Sequence, residues 1–452
     1  MKITVIGCGY VGLVSAGNLA DSGNNVLCLD TDQERVEGLQ HGVIPIYEPG
    51  LTDLINKNVA AGRLSFTTDV EKGVKHGDIQ MICVGTPSDT DGSANLSYLV
   101  GAVENIARYM EKYTIVVCRS TVPVRTADDV IAPVIQGILT ERGSNIVFDV
   151  VSNPEFLRQG TANKDFAFPD TIIVGTGSDI AFAKIRELYA PYQRKKERVM
   201  RMSNRDAEFT KLLRNIQRMI RLSTQNGYVS LAEKLGVNMD NVTMALASDP
   251  ETGDGYLRTS PGGVGGSCLV KDTHALVRFA EMHDEALPIL RAVLSVNETH
   301  ENYLFDRVIR HHGSIKGMKI AIWGLAFKPG TDDVRSSASI PLINALLDAG
   351  AEVIAYDPKA MKKTEEVFGP RKELTYAACS LSALDDVDSL VVLTEWKEFY
   401  SPPWDEMKTR MKSPVIFDGR NLFETHVPHG EGFTYLSIGR PDKIQDVAQR
   451  VK

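Results

Sequence analysis

Paired cysteines, excess positive charge and long apolar runs are all missing from this 452-residue sequence. Its six cysteines (Cys8, Cys28, Cys83, Cys118, Cys268 and Cys379) are scattered, with no Cys-x-x-Cys pair and no histidine at zinc spacing. That pattern argues against a disulfide framework and suits thiols kept reduced in a cytosol. A formal net charge of -8 argues against nucleic-acid or anionic-membrane partners, which need basic footprints. A phosphorylated small molecule stays open, because a few cations or a helix N-terminus can hold it. No apolar run is long enough to span a membrane. Residues 1–6 read as buried strand running straight into a glycine turn, with no room for a signal peptide, so a cytoplasmic location is expected. The 43% hydrophobic and 24% charged content is that of a globular chain, and its length fits two or three domains.

What is present is a series of short apolar runs between helix-like stretches. A strand at 3–6 leads through a turn at 7–12 into a helix at 13–21, then a strand at 25–30. Further runs at 79–84, 114–117, 148–151 and 171–174 predict a doubly wound parallel sheet. From Ser203 the texture changes. Residues 204–235 lack proline and contain one glycine, which predicts a long helix, and helical sequence continues to about His311 around a loop at 253–267. Strands return at 319–323, 352–356, 390–393 and 414–417, with a turn at 324–330 and a helix at 340–349. The expected architecture is α/β, with two Rossmann-like doubly wound parallel-sheet domains joined by an all-α region. Their expected bounds are 1–202, 203–313 and 314–452.

Two motifs carry chemistry. In Gly7-Cys8-Gly9-Tyr10-Val11-Gly12, Gly7 permits a tight turn, Gly9 lets the backbone approach a pyrophosphate, and Gly12 lets helix and strand pack closely. Asp30, 18 residues beyond Gly12, is placed to accept hydrogen bonds from an adenosine ribose. An acid there favours NAD over a 2′-phosphorylated cofactor, while FAD would satisfy the same fingerprint.

Cys268 ends the run Gly262-Gly263-Val264-Gly265-Gly266-Ser267-Cys268. A free cysteine is usually a small buried hydrophobe. A glycine-rich approach is a poor setting for core packing, and a helix starting here would favour thiolate. Lys271 adds charge, and Asp272 lies one turn on, along the same face. The catalytic reading is therefore preferred. Lys211 and Asn215, four apart on the long helix, can share a cleft or form a solvated face, and spacing alone favours the second. Glu155 follows a strand end, where α/β active sites collect residues, and could equally cap a helix.

Further blocks are Pro45-Ile-Tyr-Glu-Pro-Gly-Leu51, Val84-Gly-Thr-Pro87, Ser120-Thr-Val-Pro-Val124 and Ser152-Asn-Pro-Glu-Phe-Leu-Arg158. Gly324-Leu-Ala-Phe-Lys-Pro329, Thr331-Asp-Asp333, Arg335 and Asp418-Gly-Arg-Asn421 follow in order. With Cys268, Lys271 and Asp272, this series resembles the UDP-glucose/GDP-mannose dehydrogenase family from Met1 to about Arg440. The resemblance implies four-electron oxidation of a nucleotide sugar to a uronic acid, with UDP-glucose to UDP-glucuronate, a polysaccharide precursor, as the expected case. It implies NAD held by Gly7, Gly9, Tyr10, Val11, Gly12, Asp30, Arg35, Thr86 and Thr121, with Lys271 and Arg335 alongside. It implies substrate contacts from Glu155, Phe156, Leu157, Arg158, Lys211, Asn215, Arg258, Gly265, Phe327 and Lys328, with Arg335 also near the UDP part. A homodimer built on the central helices is implied too.

In the implied route, Cys268 captures the aldehyde as a thiohemiacetal, a second hydride transfer to NAD turns this into a thioester, and water cleaves the thioester. Lys211 and Asn215 steady the oxyanions, Asp272 and Thr121 organise a catalytic water, and Glu155 assists hydrolysis. The physics agrees: preorganised donors beside a developing oxyanion lower each barrier by about a few kcal/mol. Arg125 stands where the family has glycine, Gln159 where it has an acid, and Thr171 where it has arginine. Gly227 replaces an acid and Glu251 an arginine, with Arg258 a candidate substitute. The same chemistry on GDP-mannose or a UDP-N-acetylhexosamine stays open, as does a non-catalytic nucleotide-sugar or NAD sensor. Retention of Cys268, Lys211, Glu155 and Asp272 disfavours the sensor. Residues 92–96 and Thr394-Glu-Trp396 resemble the UDP-glucose branch.

Overall fold

The computed structural model describes residues 1–193, 196–249, 262–266 and 268–441. They form two compact units, Met1–Asn215 with His274–Glu285, and Ile216–Thr273 with Ala286–Lys452. The divisions fall inside two helices, Asn204–Leu235 and Leu269–Glu281.

The first unit holds an eight-stranded sheet. Its strands are β1 (Lys2–Ile6), β2 (Asn25–Leu29), β3 (Leu64–Thr67), β4 (Ile79–Ile82), β5 (Thr114–Cys118), β6 (Phe148–Ser152), β7 (Ile172–Gly175) and β8 (Val199–Met202). Their order is β3-β2-β1-β4-β5-β6-β7-β8, parallel throughout except where Ser152 of β6 meets Gly175 of β7 antiparallel. β4 and β5 are buried at every position, which is why, apart from Gln80 and Thr114, they read as apolar runs rather than alternating ones. The strand order reverses between β1 and β4. Ligands of open α/β sheets collect outside the strand ends at such a point.

The second unit holds six parallel strands: β9 (Lys319–Trp323), β10 (Glu352–Tyr356), β11 (Leu374–Tyr376), β12 (Ser389–Val392), β13 (Val415–Asp418) and β14 (Thr434–Ser437). Their order, β11-β10-β9-β12-β13-β14, reverses between β9 and β12. Both α/β sheets expected from the sequence are therefore present. Residues 203–313 carry the helices Asn204–Leu235, Met239–Ser248, Leu269–Glu281, Pro288–Glu301 and Tyr303–His312, and no strand among the described residues. No helix among the described residues is long and apolar enough to cross a membrane.

Candidate active site

In the first unit, the end of β1 turns through Gly7, whose φ of 100° is open chiefly to glycine. Its N–H donates to the Leu29 carbonyl at 2.8 Å, tying the turn to β2. A Cβ on Gly12 would lie 1.8 Å from the Gly7 carbonyl oxygen, so the helix Tyr10–Asp21 can start here only with glycine at that position. Gly9 caps that helix and faces open space, with nothing within 4 Å of a Cβ. An uncrowded backbone at a helix N-terminus is the geometry a pyrophosphate needs. Asp30 is buried and accepts N–H groups from Cys8 at 2.6 Å and Asp32 at 3.0 Å, with Arg35 at 3.2 Å. Across the switch point, the Thr86 hydroxyl donates to the Thr121 carbonyl at 2.7 Å, joining the loops after β4 and β5. These residues fit an NAD site. Val11 packs on the core of this unit.

Tyr10 reaches out of the fingerprint. Its hydroxyl donates to Glu48, which also accepts the Gly160 and Ala162 N–H groups at 2.6 and 2.7 Å. Burial pushes the Glu48 carboxyl above its ordinary range. This carboxylate links the fingerprint to the loop that follows Glu155. The sequence reading missed Glu48, although it lies within the quoted Pro45–Leu51 block.

The loop after β6 carries Glu155, Phe156, Leu157 and Arg158. Lys211 Nζ donates to the Glu155 carbonyl at 2.7 Å and to its Oε1 at 3.0 Å. The same ammonium sits 5.4 Å from the Phe156 ring centroid, and the Arg214 guanidinium covers that ring at 4.1 Å. Lys211 and Asn215 are 5% and 8% exposed, which replaces the solvated-face reading with a buried one. Leu157 donates its N–H to Glu155 Oε2 at 2.6 Å, and Arg158 is paired with Asp165. Arg125 has a left-handed φ of 77°, a conformation that glycine adopts more readily than a side-chain-bearing residue.

In the second unit, Cys268 is exposed and directly precedes the helix Leu269–Glu281; its carbonyl accepts the Asp272 N–H at 2.9 Å. That is the position where a helix's positive end stabilises an anion. The glycines before it allow close packing. A Cβ on Gly265 would lie 2.8 Å from the Ser336 carbonyl, and one on Gly266 would lie 3.0 Å from the Phe327 ring. Asp272 is 1% exposed and pairs with Lys271 at 2.8 Å. Arg335 pairs with Asp333 at 2.7 Å; Asp333 first, and Cys268 in addition, hold its guanidinium above its ordinary pKa. Phe327 carries the Lys328 ammonium 5.6 Å from its ring, and its carbonyl accepts from Arg420 at 2.6 Å. Arg258, Glu251 and Ser267 lie outside the described residues.

Residues 1–193 match a family model described as the NAD binding domain of the UDP-glucose/GDP-mannose dehydrogenase family. Residues 205–299 match its central domain and 321–425 its UDP binding domain. UDP-glucose 6-dehydrogenase of Rhizobium meliloti (strain 1021) is 41% identical over 446 residues, covering 98% of this chain and 100% of that protein. A UDP-glucose 6-dehydrogenase of Pseudomonas aeruginosa is 40% identical over 447 residues, 98% of each chain. Among solved structures, a UDP-glucose dehydrogenase from Pyrobaculum islandicum superposes with TM-score 0.86 at 34% identity, covering 96% of this chain and 97% of that one.

Proposed function

The chain belongs to the UDP-glucose/GDP-mannose dehydrogenase family and is an NAD-dependent nucleotide-sugar dehydrogenase; from that premise we propose that it oxidises UDP-glucose to UDP-glucuronate through a thioester on Cys268. The observation that carries the covalent route is Cys268 itself: an exposed thiol at a helix N-terminus, reached by a glycine loop packed on Phe327 and Ser336. A structural cysteine is normally buried.

NAD, when bound along Gly7, Gly9, Gly12 and Asp30, supplies the hydride acceptor for both oxidations. The Cys268 thiolate adds to the C6 aldehyde left by the first oxidation, and the S–C bond keeps that aldehyde from escaping. Loss of a second hydride from the thiohemiacetal leaves a thioester, and water cleaves the S–C bond to return the thiol. Lys211 and Asn215 donate to the oxygen as it gains charge, Glu155 assists the hydrolysis, and Asp272 and Thr121 order the water. Lys328, Arg335 and Phe327 hold the nucleotide sugar. The Lys211–Glu155 ion pair, at 3.0 Å, brings the two groups together at one place, which supports both roles.

Residues 1–202, 203–313 and 314–452 are read as cofactor, dimerisation and UDP-sugar regions of a cytoplasmic homodimer. Tyr228, Leu231 and Leu235, exposed along one face of the long helix, support the dimer. The test is a panel of UDP-glucose, GDP-mannose and UDP-N-acetylhexosamines scored by turnover and NADH yield. Two NADH per UDP-glucose is expected, and Cys268→Ser should stop before the second oxidation. One NADH per sugar with free aldehyde accumulating, or full turnover by Cys268→Ser, contradicts the proposal.

A further inference from the structure

We propose that Glu208 is a positioning residue for this reaction, its carboxylate fastening the turn after Thr121 to the helix that carries Lys211. The inference rests on the reading of Thr121 and Lys211 as working residues. Asn204, Glu208 and Lys211 are spaced four and three apart, so they share one face of the helix Asn204–Leu235. That face meets the turn after β5, the end of β6 and the loop after β6 at three levels. Asn204 Oδ1 accepts the Ser152 N–H at 3.0 Å. Glu208 Oε1 accepts the Ala127 N–H at 2.9 Å and the Ser152 hydroxyl at 3.2 Å, and Oε2 accepts the Arg125 N–H at 2.7 Å. Lys211 then reaches Glu155.

Glu208 is 4% exposed, and burying a carboxylate is costly unless its oxygens are satisfied. Here it binds the turn after β5 and the end of β6 at once, and it holds Arg125 in a conformation that non-glycine residues disfavour. The Arg125 side chain takes no part in this clamp; it pairs with Asp129 at 2.7 Å on the surface. A glutamine could not replace the carboxylate. It offers one acceptor oxygen, and its NH2 would face one of the two N–H groups.

Burial pushes the Glu208 carboxyl up to about 7. The ionisable and charged groups facing it are Asp128 on the turn, Arg205 and Lys211 on its own helix, and Cys118 at the end of β5. Only the ionised form accepts all three donors, because the protonated form must donate one hydrogen itself. Ionisation therefore completes the set of three hydrogen bonds as pH rises through neutrality, while the buried charge costs the fold some stability over the same range; kcat should carry an acid limb near that point.

The experiment compares kcat, both KM values and thermal melts over pH 5.5–9 for the wild type, Glu208→Gln and Arg125→Gly/Glu208→Gln. Glu208→Gln is expected to keep its KM values, to lose about 10- to 100-fold in kcat, and to lose the acid limb. The added glycine should recover part of kcat, because glycine adopts the turn without the clamp. Wild-type kcat and an unchanged limb in Glu208→Gln overturn the proposal. So does a loss of kcat that follows loss of folded protein and is not rescued by Arg125→Gly. If Glu208→Gln does not fold, Ser152→Ala decides: removing one donor should move the limb to higher pH, and an unmoved limb refutes the clamp. Absence of NADH formation by the wild type would instead sink the proposed function.

Discussion

The glycine turns that end β1 and β9 follow the same backbone path, yet their acids are used in different ways. Gly7 and Gly324 have φ of 100° and 96°, and each donates its N–H at 2.8 Å to the last residue of the neighbouring strand, Leu29 or Tyr356. Beyond that the turns diverge. After Gly7 a helix begins at Tyr10, so its N-terminal N–H groups face the turn. After Gly324 no helix forms until Ser339, and Ala326 and Pro329 stand where Gly9 and Gly12 stand in the first turn. Asp30 accepts two backbone N–H groups and keeps a half-exposed Arg35 beside it. Asp357 is fully buried and accepts five: Leu325, Ala326, Lys359 and Ala360 N–H and the Trp396 indole N–H. A carboxylate has about four lone-pair sites, so Asp357 is spent on the fold and Asp30 is not. One turn has the geometry that a dinucleotide needs; its counterpart is a joint.

The largest expected effect tests that joint. Asp357→Ala leaves several buried N–H donors without an acceptor, at about 1–3 kcal/mol each. Denaturant melts should show at least about 3 kcal/mol of lost stability, while the NAD dissociation constant of the remaining folded protein stays at the wild-type value. Equal destabilisation by Asp30→Ala would erase the contrast between the two acids.

A second test separates the glycines of the first turn. Gly12→Ala should prevent the N-terminal sheet from folding, since its Cβ has no room beside the Gly7 carbonyl. Gly9→Ala meets nothing in the protein and should melt like the wild type, yet weaken NAD by about 10- to 100-fold, or about 1.4–2.8 kcal/mol. Calorimetric titration with NAD checks it; unchanged NAD affinity in Gly9→Ala would mean that the pyrophosphate does not lie over this backbone. Asp30→Ser is expected to cost about tenfold in NAD affinity while narrowing the gap to a 2′-phosphorylated cofactor, because the repelling charge is gone.

Much of this plan was legible in the sequence where local chemistry decides it. The three glycines and Asp30 are constrained by turn sterics and strand spacing. Cys268 stood out because glycines surround it, and the long helix showed itself by a lack of proline. The strands that escaped notice, β3, β8, β11 and β14, are the four sheet edges. Segments such as Val199–Met202 carry polar or exposed positions where a central strand would be apolar throughout. Lys211 and Asn215 looked solvated from spacing alone, since they are buried only once the chain has folded. Glu208 and Glu48 left a weaker trace. Their partners lie about 80 and 110 residues away, so the bonds exist only in the folded chain. Glu208 was nonetheless one turn from Lys211 on the same face, and that spacing was a usable signal.

The smallest effect asks whether glycine content or helix placement makes the first turn a cofactor site. Ala326→Gly gives the second turn the Gly-x-Gly of the first. If glycine alone sufficed, the variant would gain affinity for NAD. The Ala326 N–H, however, already donates to Asp357, its carbonyl accepts the Thr394 hydroxyl at 2.5 Å, and its methyl is buried. No helix N-terminus follows to hold a phosphate. The expected result is a loss of about 1 kcal/mol of stability, from backbone freedom and a lost methyl contact, with no second NAD site by calorimetry. A second NAD equivalent bound by Ala326→Gly would show that the two turns differ only in residue size, and that the saturation of Asp357 does not exclude a nucleotide.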